Sequence, residues 1–121
     1  MYVKKIEWLD KISKEAIVEV VEGTERLFCF SCPCPYKQND LLHEPLECLD
    51  TRHITLCFTE EYDIKKLEGA FCYKLKGQIK DKNRGLIDVH NFTLHIDQQE
   101  IPNDIENGMF LEFTTSRIDL W

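Results

Sequence analysis

Positive charge is scarce in this chain of 121 residues: 15 Lys and Arg stand against 22 Asp and Glu, a formal net charge of −7. The deficit is shared, with seven basic and eleven acidic side chains in residues 1–60 and eight and eleven in residues 61–121. Such a surface repels phosphate backbones on average, which disfavours non-specific binding to nucleic acid or anionic membrane and favours a basic partner. A negative net charge is also what keeps many soluble proteins apart. Long apolar runs are missing as well: nothing approaches the roughly 20 residues of a membrane span, and the opening MYVKKIEWLDK has no signal-peptide core. A cytosolic location is expected. There is no internal repeat, low-complexity segment or dividing linker, so residues 1–121 read as one domain. No phosphate-binding glycine loop, nucleophile elbow or His-Glu-x-x-His motif occurs, and His43, His53, His90 and His95 have no spacing that joins a nucleophile, a base and an orienting group. The expectation is a protein without catalytic activity or a cofactor.

What is present is a globular balance of 43% hydrophobic and 31% charged residues, enough for a packed core. From Phe71 to Trp121 apolar and polar residues alternate, and the alternation changes phase twice. Phe71, Tyr73, Leu75 and Ile79 share one side of a strand, and Lys74, Lys76, Gln78 and Lys80 the other. After a turn over Asp81–Gly85, Ile87 and Val89 continue on odd positions, but Phe92, Leu94 and Ile96 are even. A bulge or bend near His90 accounts for that shift. The last strand changes phase between Met109, Leu111, Phe113 and Ile118, Leu120.

Earlier in the chain, Tyr2–Leu9 and Glu15–Val21 predict a hairpin, and the turn at Glu22-Gly23-Thr24 leads to a strand over Leu27–Cys32. Pro33, Pro35 and Pro45 mark Pro33–Asp50 as a long connection. His53–Thr59 reads as a further strand, and Glu60–Glu68 as about two turns of helix ended by Gly69. Together these elements predict a mainly β fold: a small antiparallel, partly open barrel with one short helix. Strand, Lys76-Gly77, strand, turn, strand over Tyr73–Val89, echoed by Gly108, resembles the OB-fold at the level of pattern. That resemblance implies a binding module for nucleic acid, oligosaccharide or protein.

Three clusters could carry binding. Cys29, Cys32 and Cys34, with His43 and Cys48 downstream, supply enough soft ligands for zinc, but the paired spacing of a zinc ribbon is missing. In a reducing cytosol the six cysteines read as free thiols, with Cys29, Cys57 and Cys72 in the core and no metal. Lys74, Lys76, Lys80, Lys82 and Arg84 form a basic hairpin interrupted only by Asp81; it could steer an anion or a nucleic-acid backbone, or simply guard an exposed strand. Its neighbours Phe71 and Tyr73 alternate inward, away from base stacking. Asp97, Glu100, Asp104 and Glu106 lie on a connector with no basic residue and could meet a basic protein, or form a polar loop in which Pro102 and Asn103 turn and Asp104 caps a helical turn. The expected function is non-catalytic binding of a basic protein, an immunity protein that neutralises a basic toxin being one case. The alternatives are an OB-type binder of nucleic acid or anionic ligand through the lysine hairpin, and a structural interaction module.

Overall fold

Strand pairing follows the alternation from the first residues of the chain. The computed structural model describes residues 1–69 and 71–121. Strands β1 (Tyr2–Asp10), β2 (Glu15–Glu22) and β3 (Glu25–Ser31) form the expected antiparallel meander. Val18, Val20, Leu27 and Cys29 are fully buried on its inner face. The polar tip holds because Asp10 Oδ1 accepts from the backbone N–H of Ile12 (2.9 Å), an Asx-type turn.

The proline-rich connection runs on from β3 but contains a strand of its own, β4 (Leu46–Leu49). It pairs antiparallel with the final strand and parallel with a strand some 48 residues on, Leu46 opposite Leu94 and Glu47 opposite His95. Next come β5 (Arg52–Cys57), β6 (Asp63–Lys66), β7 (Tyr73–Asp81), β8 (Leu86–Val89), β9 (Phe92–His95), β10 (Phe110–Thr115) and β11 (Arg117–Asp119). The sheet runs β1-β2-β3-β11-β4-β9-β8-β7-β10-β5, with β6 beside β7. It is mostly antiparallel and does not close. Among the described residues there is no α-helix; the only helical turns are 3-10 turns at Lys82–Arg84 and Gln98–Glu100.

Two expectations are corrected here. The helix over Glu60–Glu68 is instead irregular chain followed by β6, whose Ile64 stands opposite Leu75. The row of backbone groups along that part of β7 has no other partner, and a four-residue strand satisfies it while Ile64 packs against the core. The phase change near His90 is a reversal of the chain rather than a bulge. His90 and Asn91 have φ of 47° and 70° and form a two-residue hairpin turn with Val89 opposite Phe92. Residues of opposite parity therefore share a face, and Val89, Phe92 and Leu94 all reach the core. The second phase change lies where expected, but it divides the single last strand in two: the chain breaks at Ser116, leaving β10 beside β7 and β5 and β11 beside β3 and β4.

Gly77 marks a transfer along β7. On one edge β10 pairs throughout Tyr73–Gln78; on the other, β6 covers Tyr73–Lys76 and β8 begins at Gln78. A Cβ at Gly77 would sit 2.4 Å from the Asp88 carbonyl oxygen and 2.5 Å from Val89 Cγ2, so only glycine lets β8 cross so closely. The core beneath combines both halves of the chain, with Tyr73, Leu75, Phe92, Leu94, Leu111, Phe113 and Ile118 packed against the meander. Every buried side-chain nitrogen or oxygen among the described residues has a partner; Tyr73 OH, for example, accepts the backbone N–H of Phe28 (2.9 Å).

Candidate functional site

The acidic connector folds as two separate pieces. Asp97 caps the 3-10 turn Gln98–Glu100, its Oδ1 accepting from Gln99 N (2.9 Å). The expected cap at Asp104 is thereby corrected: Asp104 lies in an exposed turn where Ile105 N donates to Pro102 O (3.1 Å). Ile96, Ile101 and Ile105 are buried and anchor the connector to the core, so Asp97 and Glu100 lie between the first two anchors and Asp104 between the last two.

Asp97 and Glu100 line a surface cleft with Glu47, Asp50 and the segment Cys48–Thr51. Four acidic residues from two stretches of chain line it, and no Lys or Arg does. Glu47 is held by its strand partner, His95, whose Nδ1 lies 2.7 and 2.8 Å from the two carboxylate oxygens. Asp50 sits in a turn at φ 52°, and Arg52 approaches it from outside the cleft at 3.2 Å. Both members of that pair are more than half exposed, so it is a weak tie that a partner's cation can exchange for its own. Asp104 and Glu106 do not join this group. Glu106 borders a different cleft beside Lys82, Asn83 and Asn107, where opposite charges are mixed.

The basic hairpin is largely paired within the fold. Lys74 and Lys76 converge on Glu112 of β10, at 3.1 and 3.5 Å. Their contacts hold the Glu112 carboxyl below the usual carboxylate range, led by the hydrogen bond from Lys74 and opposed by burial. Lys80 Nζ donates to Gln78 Oε1 (2.9 Å), and Lys82 Nζ to the Asn103 carbonyl (3.2 Å). Arg84 is exposed at the tip. Of the two aromatics expected to point inward, Tyr73 is buried, but Phe71 is only half-buried and packs edge-on against Phe30, on the outer face of β3, with centroids 5.8 Å apart. Tyr62 rests on Phe110 and His90 at 5.1 and 5.3 Å.

The cysteines divide between core and surface. Cys29, Cys34 and Cys48 are buried, whereas Cys32 and His43 are exposed. Burial pushes the Cys29 and Cys48 thiols well up from their ordinary value, which keeps them protonated and unreactive. Cys57 and Cys72 are half-buried. Among the described residues no three His, Cys, Asp or Glu side chains are placed to share a metal ion.

Glu47 and Asp50 are the acidic cleft residues that sequence reasoning missed, together with the contact of His95 to Glu47. Leu46-Glu47-Cys48-Leu49 does alternate, and could have been read as a strand inside the proline-rich connection. Its parallel pairing with β9 is a long-range fact that no local pattern carries. No family model, no curated protein and no solved structure matches this chain. Among the described residues no helix is long and apolar enough to cross a membrane.

Proposed function

We propose that this chain is a non-catalytic, cytosolic binding protein whose cleft of Glu47, Asp50, Asp97 and Glu100 receives Lys or Arg side chains of a basic protein. The observation that carries the reading is that those four acidic residues line one cleft without a lining Lys or Arg. Bidentate carboxylate–guanidinium pairs reward such a layout, and the net charge of −7 would speed encounter with a basic surface. The anchored loops and the Glu47–His95 contact hold the acids in position before binding, which lowers the ordering cost. An immunity protein that covers the active site of a basic nuclease has this kind of surface.

The OB-type alternative, a nucleic-acid or anion binder acting through the lysine hairpin, draws less support. Lys74 and Lys76 already serve Glu112, and the neighbouring Tyr73 is spent on the core. Affinity capture from native cells separates the readings when run in parallel with wild-type bait and with Asp97→Lys/Glu100→Lys. The expected result is a stoichiometric basic protein on the wild-type bait, weakened about ten-fold or more by the double substitution and by added salt. A partner retained equally by both baits, or no stoichiometric partner, would overturn the proposal.

A further inference from the structure

The main run of the sheet ends at β1 and at β5, with the short β6 a further edge beside β7, and the two ends are treated differently. At β1 the open edge carries Lys4, Lys5, Glu7 and Asp10, is broken by register shifts, and is partly covered where Val3 N donates to Asp40 O (2.9 Å) and Asn39 N to Val3 O (2.7 Å). Charges, bulges and a covering segment are the usual means of preventing edge-to-edge association. At the other end, β5 also has a register shift, at His53 with φ 55°, but among the described residues no covering segment is bonded to its outer side and it carries little charge. Residues 51–59, TRHITLCFT, contain no carboxylate and a single formal charge, on Arg52. Ile54 and Leu56 only partly cover the rim of the core, and Phe58 follows with 93% of its surface exposed. Phe58 also borders a mostly apolar cleft with Leu56, Cys57, Met109 and Phe110, which Glu60 lines at its rim.

The ladder shows which backbone groups are free. Ile79 N donates to Met109 O (2.9 Å), so the Met109 carbonyl faces β7 and the next residue, Phe110, turns its groups to β5. Cys57, opposite Phe110, therefore faces β10, and alternation leaves the N–H and C=O of Leu56 and Ile54 facing outward.

We infer that β5 is a self-association edge, pairing antiparallel with β5 of a second copy of this chain about a two-fold axis at Thr55. That register sets Ile54 of each copy opposite Leu56 of the other, joins both outward-facing residues through about four hydrogen bonds, and opposes Thr55 to Thr55. Within residues 51–59 no acid meets an acid, so two copies of a chain of net charge −7 approach along a carboxylate-free stretch; Asp50 and Glu60, brought opposite just beyond it, add to the repulsion that salt screens. The pairing extends the sheet and covers the half-exposed rim of the core on both copies. One strand edge buries less than the roughly 800 Å² per partner of a stable interface, so association is micromolar or weaker. Because the contact is apolar and the net charges repel, salt strengthens it, the reverse of its effect on capture of a basic partner.

Sedimentation equilibrium over a concentration series, at low and high salt, tests this with the full chain. Wild type is expected to dimerise more tightly at high salt. Thr55→Lys and Thr55→Glu, each at an exposed position, are expected to weaken self-association about ten-fold or more alone and to associate with each other when mixed. Circular dichroism of each variant confirms that it folds. A wild type that stays monomeric throughout, or a dimer that neither single variant weakens, would overturn the inference.

Discussion

Gly77 of β7 and Glu112 of the neighbouring β10 lie one residue apart in the ladder and make opposite demands on chemistry. At Gly77 the absence of a side chain is the requirement. Gly77→Ala would force the Asp88 carbonyl and Val89 aside, and is expected to cost about 1–3 kcal/mol, or more if β8 cannot shift, read as a lower midpoint in urea with unchanged slope. At Glu112 the charge is the requirement, since two lysines depend on it. Its carboxyl is held below the usual range, so the stabilisation is complete above the unfolded glutamate value of about 4.3 and is lost as pH falls through the lower folded value. The stability advantage of wild type over Glu112→Gln should therefore shrink below about pH 4. Urea midpoints of the two proteins that keep a constant gap down to pH 2 would contradict this account of the lysine hairpin.

Among the elements, the β8–β9 turn is the one whose sequence signal had two readings. An inserted residue and a two-residue reversal both move the apolar set from odd to even positions, and only Val89 standing opposite Phe92 distinguishes them. Positive φ at His90 and Asn91 makes a sharp prediction. Asn91→Val should lower stability by about 1–2 kcal/mol, whereas Asn91→Gly should be neutral or stabilising. Equal urea midpoints for the two variants would contradict the turn. The meander, β5, β7 and the break at Ser116 were legible because long alternation reports burial directly. The strand β6 was not, because Tyr62, Ile64 and Leu67 among charges fit either period, and the free edge of β7 decided between them. The candidate cleft was half legible: Asp97 and Glu100 stand out in a connector without basic residues, but the parallel register that adds Glu47 and His95 is set by β4 meeting β9 across the fold.

For the whole molecule, a net charge of −7 acts differently at each surface. On the proposed reading it would draw a basic protein toward the acidic cleft and oppose self-pairing at β5 unless salt screens it, while the lysine hairpin is a local exception already engaged by Glu112, Gln78 and the Asn103 carbonyl. The acidic cleft and the hairpin therefore make competing claims on a charged ligand, and amide chemical shifts can assign them residue by residue. The most direct measurement is an NMR titration of the full chain at low salt with an arginine-rich peptide and, separately, with single-stranded oligothymidylate. The account predicts that the peptide shifts amides at Glu47–Thr51 and Asp97–Glu100 and that salt reverses the shifts, while the oligonucleotide leaves Lys74–Arg84 unmoved. Oligonucleotide shifts centred on Lys74–Arg84, with the cleft silent toward the peptide, would contradict it.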